Sequence, residues 1–302
     1  MTNNKTLIIV YGPTGIGKTA LGIELAKHFK SEIINADSRQ VYKEMTIGTA
    51  VPSKEELQAI KHHLIQTKSI RQRFNASTFE EEVIRILNDL FSEYNIVFMV
   101  GGSGLYIDAV CNGIDELPTI TNEIRAKFDA IYETEGIEKI QQLVEQTDPE
   151  YYKVVDKNNH KRLLKALEVF DMTGQKYSGM LTHSKKKRPF NVLKIGLNAD
   201  REILYNRINE RVLKMVEAGL VEEARNLVPY RDLTPLKTVG YKELFQAFDG
   251  EITEQEAIIQ IQNHSRAYAR RQITWMRRDK DYHWFDSSEL KGIIEKIESF
   301  TN

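Results

Sequence analysis

Apolar and polar positions in the first third of the chain alternate between short apolar runs and longer segments with helical spacing. Runs rich in β-branched residues at 7–11, 32–36 and 95–100 predict short strands. The segments 20–29 and 78–91 repeat apolar residues every three or four positions and predict helices. Strands that alternate with helices are typical of a parallel sheet covered by helices. The predicted fold class is therefore α/β.

The middle of the chain follows a different pattern, because apolar residues recur at helical spacing from 122 to 173 without a strand between them. One more β-branched run at 192–197 predicts a strand that returns to the sheet. We therefore predict a core formed by residues 1–120 and 190–302. An all-helical lobe is predicted to be inserted between them at 121–189.

The segment after that returning strand is predicted to be helical to its end. Asp200 suits the cap of a helix that runs to Ala218 and stops at Gly219. A long charged helix is predicted from Thr253 to about Arg278. The pattern predicts no further strand.

Composition excludes several classes of protein. The 302 residues are 41% hydrophobic, which suits a folded chain of one or two domains. The 43 acidic and 42 basic residues leave a formal charge of −1, so any nucleic-acid site must be a local positive patch. No apolar stretch has the length of a membrane span and no leader pattern opens the chain, so we expect a cytoplasmic protein without a membrane partner.

The potential metal-binding and nucleophilic side chains are few. Cys111 is the only cysteine, which excludes an internal disulfide and a cysteine-rich zinc finger. Its thiol fits either a small buried hydrophobic group or a nucleophile. His62 and His63 are candidate metal ligands, but adjacent side chains on a helix diverge and the sequence offers no obvious carboxylate partner.

The segment 12–19 has the full phosphate-loop pattern and lies between a predicted strand and a predicted helix, as that motif requires. Its glycines let backbone N–H groups surround a diphosphate, and the following helix presents its positive end. Lys18 supplies a positive charge, and the Thr19 hydroxyl is a candidate Mg²⁺ ligand. The residues assigned to diphosphate are Gly12, Pro13, Thr14, Gly15, Ile16, Gly17, Lys18 and Thr19.

The phosphate loop predicts a diphosphate without requiring a nucleotide. ATP and GTP enzymes of this type place an acidic residue at the end of a buried strand. In this chain the predicted strand at 96–100 ends instead in the glycine-rich segment 101–104. A guanine-reading Asn-Lys-x-Asp motif is also absent, so a kinase or a GTPase switch is less favoured. Asp37 follows the second strand and is expected at the same sheet edge, where a proton acceptor and a turn residue fit it equally well.

Several motifs resemble, in order, those of the tRNA dimethylallyltransferases. After the phosphate loop they are Asp-Ser-Arg-Gln-Val-Tyr at 37–42, Ile-Gly-Thr-Ala at 47–50 and Val-Gly-Gly-Ser-Gly-Leu-Tyr at 100–106. Further matching segments are found at 156–168, 239–243 and 266–275. The resemblance thus covers almost the whole chain, and it is far more specific than the phosphate loop alone.

This resemblance implies a core like that of P-loop kinases and an inserted lobe that grips the anticodon arm of tRNA. It implies transfer of a dimethylallyl group from dimethylallyl diphosphate to N6 of the adenosine on the 3′ side of the anticodon. Asp37 would be the catalytic base, with Thr19 and Arg211 as further catalytic residues. The residues implied to contact tRNA are Asp37, Ser38, Arg39, Gln40, Ser103, Arg125, Lys161, Arg162, Leu163, Leu164 and Lys165.

Two positions depart from the family pattern, and one helix offers two candidate arginines. Ser103 stands where Thr is expected and keeps the hydroxyl, whereas Lys165 stands where Arg is expected and lacks the planar fork of a guanidinium. Arg207 and Arg211 are four residues apart and share a helix face. By similarity Arg211 is the better candidate to hold the leaving diphosphate, and a pair of solvated arginines is the alternative.

Two basic clusters are candidate RNA contacts. One is the run 185–188, and the other is a helix that carries Arg266, Arg270, Arg271, Arg277, Arg278, Tyr268 and Trp275. Both suit phosphate contact and base stacking. A solvated helix face explains each cluster equally well.

The chemistry expected from these residues is group transfer. Departing diphosphate concentrates negative charge that Lys18, the loop amides, Mg²⁺ and Arg211 would stabilise, and Asp37 would take the proton that the adenine nitrogen sheds. The expected partners are tRNA, through its anticodon stem-loop, and dimethylallyl diphosphate, with Mg²⁺ as the cofactor. The chain is expected to be a monomer. An ATP-dependent small-molecule kinase and a nucleotide-switched RNA-binding protein are the alternatives.

Overall fold

A six-stranded parallel sheet organises the larger part of the protein. The computed structural model describes residues 5–115, 117–182 and 184–301, and the first four residues, on which the expectation about a leader partly rests, lie outside these ranges. The strand order is β3-β2-β4-β1-β5-β6. The strands are β1 (Thr6–Tyr11), β2 (Ile33–Ala36), β3 (His62–His63), β4 (Ile96–Gly101), β5 (Asn191–Asn198) and β6 (Tyr282–Asp286). The predicted α/β class is confirmed.

Helices flank this sheet. The helices before the insertion are α1 (Lys18–His28), α2 (Lys54–Ala59), α3 (Ala76–Glu93) and α4 (Gly104–Asn112). The inserted helices are α5 (Asn122–Thr147), α6 (Pro149–Val154), α7 (His160–Thr173) and α8 (Tyr177–Met180). The last helices are α9 (Arg201–Glu217), α10 (Leu220–Leu227), α11 (Tyr241–Phe248), α12 (Glu254–Met276) and α13 (Leu290–Thr301). In the described ranges, no helix combines the length and apolar character needed to cross a membrane.

The central strand explains where the site forms. β1 lies between β4 and β5, and every residue from Thr6 to Tyr11 is buried. Val10 pairs with Val100 on one side and Ile195 on the other. A strand covered on both faces shows no polar alternation, which accounts for its continuous apolar sequence. Because the strands are parallel, the loops after β1, β2 and β4 leave the sheet at one edge.

Two helices begin where the sequence predicts. Asp200 accepts hydrogen bonds from the backbone N–H groups of Glu202 at 2.8 Å and Ile203 at 3.4 Å, which satisfies donors that the first turn of α9 leaves unpaired. Thr253 caps α12 in a reciprocal capping box with Glu256. These local interactions fix the start of the two helices that later supply cavity residues.

The prediction that no strand follows residue 197 is wrong. β6 pairs with β5 at the edge of the sheet, and Trp284 remains 41% exposed. An edge strand with exposed His283 and Trp284 lacks the apolar run that identifies buried strands. His62 and His63 also form a strand, β3, rather than part of the helix assumed for them.

The inserted unit spans Gly113–Lys186, and the rest of the chain up to Asn112 and from Lys187 forms the other compact unit. The insertion therefore begins before the predicted residue 121 and ends before 189. Its two ends pair with each other, since the Thr182 N–H and hydroxyl donate to Asp115 Oδ1 at 3.1 and 2.5 Å. This pairing holds the segment before α5 in the inserted unit.

The inserted unit has its own hydrophobic core. Phe128, Ile140 and Val144 from α5 pack with Leu163 and Leu167 from α7. Fully burying a side chain of this kind stabilises a fold by roughly 1.5–3 kcal/mol. Inward-facing apolar residues at helical spacing therefore account for the core of this unit.

Candidate active site

The phosphate loop leaves the carboxyl end of β1 and enters the first turn of α1. Gly15 and Gly17 have φ angles of 82° and 99°, a left-handed conformation that glycine adopts without steric cost. Gly17 precedes α1 and has no side chain to bond the first-turn amides. Those N–H groups are donors at the positive end of a helix, which suits an anion such as a diphosphate.

Two half-buried cations adjoin this loop. Lys18 Nζ donates to the Pro13 carbonyl at 2.9 Å. Loss of water around the ammonium group, reinforced by nearby Arg211, lowers the pKa of Lys18 to about 7, against an opposing effect of Asp37. Burial also lowers the pKa of Arg211. Two desolvated cations beside a phosphate loop suit a bound anion.

One nitrogen of the Arg211 guanidinium donates a hydrogen bond, and another lacks an acceptor within the described ranges. Its Nη2 donates to the Thr14 hydroxyl, whereas its Nε is buried without a partner among the described residues. An unsatisfied buried donor costs about 1–3 kcal/mol. An oxygen of a bound diphosphate would remove that cost, so Arg211 fits the role predicted for it. Arg207, four residues earlier, is exposed.

Asp37 forms the turn that the sequence offered as one of two possibilities, and it also lies at a cavity. Its Oδ1 accepts hydrogen bonds from the backbone N–H groups of Arg39 at 2.8 Å and Gln40 at 3.3 Å, as in an Asx turn. The Asp37 N–H donates to Asn35 Oδ1 at 3.2 Å. The same residue also lines a cavity together with Thr14 and Arg211. The turn therefore fixes the carboxylate at a position where it can meet a substrate.

Ser103 and Gln272 join the three loops at the sheet edge. The buried Ser103 hydroxyl accepts from the Ser38 N–H at 2.9 Å, which ties the loop after β4 to the loop after β2. Gln272 of α12 donates to the Gly102 carbonyl at 2.7 Å and accepts from the Thr14 N–H at 2.8 Å. The Ser103 hydroxyl thus already supports the Asp37 loop, and Gln272 is a supporting residue to which the sequence assigned no role.

A cavity of about 320 Å³ opens where these loops meet α9 and α12. It is within the size range of small-molecule sites. Among the residues around it are Thr14, Asp37, Arg211, Thr238, Tyr268 and Arg271. Burial raises the pKa of the Tyr268 phenol to about 12, so the hydroxyl stays protonated near neutral pH. The segment 237–240 carries part of a family motif, but the sequence offered no role for its lining residues.

The predicted nucleotide-contacting run 37–40 divides into two groups. Ser38 and Arg39 line the cavity with Asp37. Gln40 instead directs both hydrogens of its amide into the protein, to the carbonyls of Thr49 at 3.0 Å and Ala50 at 2.8 Å. Its side-chain amide therefore braces the loop at 46–50.

The donor set at the phosphate loop fits Mg²⁺ only with help from substrate. Among the described residues, no group of three His, Cys, Asp or Glu side chains is arranged to hold a metal ion. Thr19 lies in the first turn of α1 and is half-buried. Mg²⁺ commonly binds through few protein oxygens together with substrate phosphates and water. The Thr19 hydroxyl and a diphosphate together would satisfy that preference.

The candidate RNA residues of the inserted unit differ in exposure. Lys161 and Arg162 are exposed in the first turn of α7, whereas Leu163 and Leu164 are 0% and 6% exposed in its hydrophobic core. The two leucine side chains are therefore unavailable to RNA, because the stripe that identifies α7 as amphipathic points them inward. Lys165 is half-buried.

Arg125, the remaining candidate of the inserted unit, lies in the first turn of α5. It is half-buried, and its Nε is a buried donor without a partner in the described part of the chain. A phosphate oxygen would satisfy such a donor, as it would in the case of Arg211.

Two residues of the predicted basic clusters have structural partners. Arg188 pairs with Glu80 at 2.7 Å and donates to the Val110 carbonyl at 2.8 Å, whereas residues 185–187 are exposed. Trp275 Nε1 donates to Asp108 Oδ2 at 2.8 Å. These contacts hold Arg188 and Trp275 within the core unit. The prediction of RNA contact therefore applies to the exposed members of each cluster.

Cys111 was a candidate nucleophile, and His62 and His63 were candidate metal ligands. Burial raises the pKa of the Cys111 thiol to about 12, so the thiol stays protonated and is a poor nucleophile. His63 Nε2 lies 2.6 Å from Glu32 Oε2, within hydrogen-bond distance. Neither residue is part of a metal-binding group in the ranges that the structure covers.

Comparison with known proteins gives a consistent result. The sequence model of the IPP transferase family matches residues 40–279. The tRNA dimethylallyltransferase 2 of Parabacteroides distasonis is 48% identical over 292 residues, with 97% of this chain and 98% of that protein covered. The tRNA dimethylallyltransferase of Christiangramia forsetii is 48% identical over 297 residues, with 98% of each chain covered.

Solved structures with the same architecture include two transferases that act on RNA. The tRNA isopentenylpyrophosphate transferase of Bacillus halodurans superposes with a TM-score of 0.71 at 34% identity, covering 98% of this chain and 95% of that one. A eukaryotic dimethylallyltransferase acting on tRNA gives a TM-score of 0.79 at 26% identity, covering 95% of this chain and 75% of that one.

Proposed function

This chain belongs to the IPP transferase family, and from that premise we propose that it transfers a dimethylallyl group from dimethylallyl diphosphate to tRNA. The acceptor is N6 of the adenosine on the 3′ side of the anticodon, and diphosphate is released. The names of the similar proteins support transfer to tRNA. The donor and the acceptor atom are the finer parts of the proposal.

One observation carries this proposal: Thr14 of the phosphate loop, Arg211 and Asp37 share one cavity. The loop and Arg211 suit an anionic leaving group. The buried Nε of Arg211 and the first amides of α1 are hydrogen-bond donors that an anion can satisfy. Asp37 adds an acceptor for a proton in the same space. A leaving group and a proton acceptor that meet in one cavity are what alkyl transfer to an amine requires.

The bond changes follow from this arrangement. The N6 lone pair forms a bond with the first carbon of the dimethylallyl group while the carbon–oxygen bond to diphosphate breaks and its electron pair leaves with the oxygen. Lys18, Arg211 and the loop amides stabilise the charge that builds on that oxygen. The N6 proton passes to the Asp37 carboxylate. When bound, Mg²⁺ would be held by Thr19 and diphosphate oxygens and would neutralise part of the leaving-group charge.

RNA recognition is assigned to the inserted unit and to the rim of the cavity. Exposed Lys161 and Arg162 suit contact with phosphates of the anticodon arm, and Arg39 and Arg271 at the cavity suit a nucleotide that has left its stack. A tRNA substrate and a single reduced cysteine suit the cytoplasm.

The decisive experiment uses unmodified tRNA, Mg²⁺ and dimethylallyl diphosphate labelled in its prenyl group. We expect label in the tRNA, one diphosphate released per group transferred, and a modified adenosine next to the anticodon after nuclease digestion. ADP formed from ATP with a small molecule as acceptor would contradict the proposal in favour of a kinase. Salt-sensitive tRNA binding without any product would contradict it in favour of a binding protein.

A further inference from the structure

Glu223, a carboxylate outside the groups considered so far, is the acceptor for a loop at the cavity. This α10 residue accepts hydrogen bonds from the backbone N–H groups of Thr46 at 3.0 Å, Ile47 at 2.8 Å and Gly48 at 2.9 Å. Its Oε1 also accepts from the Tyr241 hydroxyl at 2.7 Å. A carboxylate has only acceptors, with about four lone-pair sites. Here four donors meet it.

The loop that Glu223 holds, residues 46–50, forms part of the cavity wall. Gly48 and Thr49 line the cavity. Behind them lies Tyr241, which is fully buried. A Cβ on Gly48 would lie 2.7 Å from Tyr241 Cζ, so the glycine permits close contact between the loop and the ring. The wall is therefore held by the carboxylate and by the ring.

The same loop is connected to Asp37 by Gln40. The Gln40 amide donates to the carbonyls of Thr49 at 3.0 Å and Ala50 at 2.8 Å. The Gln40 backbone N–H donates to Asp37 Oδ1 at 3.3 Å. Hydrogen bonds, together with the backbone of the loop, thus connect Glu223 through Gln40 to the carboxylate assigned as the base.

We propose that Glu223 is a positioning residue for the transfer reaction, because it fixes the 46–50 loop and thereby the Asp37 carboxylate. The inference rests on the proposed function. A misplacement of about 1 Å at a reacting group can cost roughly 100-fold in rate. Replacement by glutamine leaves the shape but presents an NH₂ group to backbone donors, so it loosens the loop without emptying the space.

The test compares Glu223→Gln with Glu222→Gln. Glu222 is the preceding residue of α10 and is exposed, so it is a matched control. In single-turnover transfer with saturating donor and tRNA, we expect Glu223→Gln to lower the rate roughly 10- to 100-fold, with the Kd for tRNA unchanged. The control should stay within about twofold of the wild-type rate, because an exposed side chain contributes little.

Hydrogen exchange of the ligand-free protein supplies a readout apart from activity. We expect the amides of 46–48 to exchange about tenfold faster in Glu223→Gln. This factor corresponds to a loss of about 1.4 kcal/mol in the free energy of local opening. The amides of β1 should not change. Faster exchange throughout the core would indicate general destabilisation and would overturn a specific positioning role.

Tyr241→Phe is the second variant, and it serves even if Glu223→Gln does not fold. It removes one of the four donors, so we expect the transfer rate to fall roughly 2- to 10-fold. A wild-type rate in either folded variant would overturn the inference while leaving the proposed function intact. If the wild-type protein itself transfers no prenyl group, the proposed function fails instead.

Discussion

The sheet edge and the start of α7 in the inserted unit present their charged groups in opposite ways. At the edge, Lys18 and Arg211 are half-buried and each donates a hydrogen bond within the phosphate loop. In the inserted unit, Lys161 and Arg162 extend into solvent from the start of α7. The buried positions beside them are filled by leucine.

This difference separates two kinds of binding. Groups that stabilise charge developing at one oxygen act best when the protein has already fixed and desolvated them. Cations that meet a flexible polyanion act through many small contacts that remain open to water and salt. The comparison therefore predicts large effects of single changes at the edge and small, additive, salt-dependent effects at the start of α7.

The largest effect is expected for Asp37→Asn. Asparagine keeps the Oδ1 acceptor that forms the turn but cannot take a proton, so the single-turnover transfer rate should fall by roughly 10²–10⁴. The Kd for tRNA, measured by filter binding, should be unchanged. Asp89→Asn on the exposed side of α3 is the control. A wild-type rate in the Asp37 variant would remove this residue as the base.

The second effect is expected for Arg211→Lys. Lysine keeps the positive charge but lacks the buried Nε donor, so the loss of rate isolates the geometry of the guanidinium. We expect a loss of roughly 10²–10³ in kcat for transfer. Arg207→Lys, on the same helix but exposed, should stay within about twofold. A wild-type kcat in the Arg211 variant would show that positive charge alone is sufficient at this position.

The third effect is a pH dependence of donor binding. The Lys18 ammonium has a pKa of about 7 in the free protein, so above this pH it must take up a proton to pair with diphosphate. The Kd for inorganic diphosphate should therefore rise with pH above 7, by up to about tenfold per pH unit. Lys18→Arg, which stays charged, should flatten the rise. An identical profile in both proteins would contradict this role of Lys18.

The smallest effect is expected for Lys161→Ala and Arg162→Ala. Each should weaken tRNA binding by a few-fold and reduce the slope of log Kd against log salt by roughly 0.7–0.9, with the saturated transfer rate unchanged. Leu163→Ala should act on stability instead. Truncation of a buried leucine to alanine lowers the free energy of unfolding by about 2–5 kcal/mol. A loss of binding that does not depend on salt would contradict phosphate contact by Lys161 or Arg162.

Local sequence rules predicted the parts of the fold that local interactions determine. The continuous apolar run of β1 marked a buried central strand, and Asp200 and Thr253 marked the starts of α9 and α12 through bonds to nearby amides. The phosphate loop was identified for the same reason, because its glycine conformations and its helix depend on consecutive residues.

The rest depends on contacts between distant residues. Glu223 and Gln272 reach their partners only after α10 and α12 fold against loops that are distant in the sequence, so no spacing near them reveals a role. β6 was missed because an edge strand with exposed Trp284 has no apolar run. Leu163 and Leu164 show the opposite case, since the family motif suggested RNA contact while their periodicity already indicated a core position.

The central claim is that the phosphate loop holds the diphosphate of a prenyl donor beside Asp37. It is tested most directly by a crystal structure with a sulfur-bridged, unreactive analogue of dimethylallyl diphosphate. We predict diphosphate oxygens within hydrogen-bond distance of the α1 amides, Lys18 Nζ and Arg211 Nε, with the prenyl carbon in the cavity that Asp37 lines. An analogue bound elsewhere, or one whose prenyl group points away from this cavity, would contradict the account.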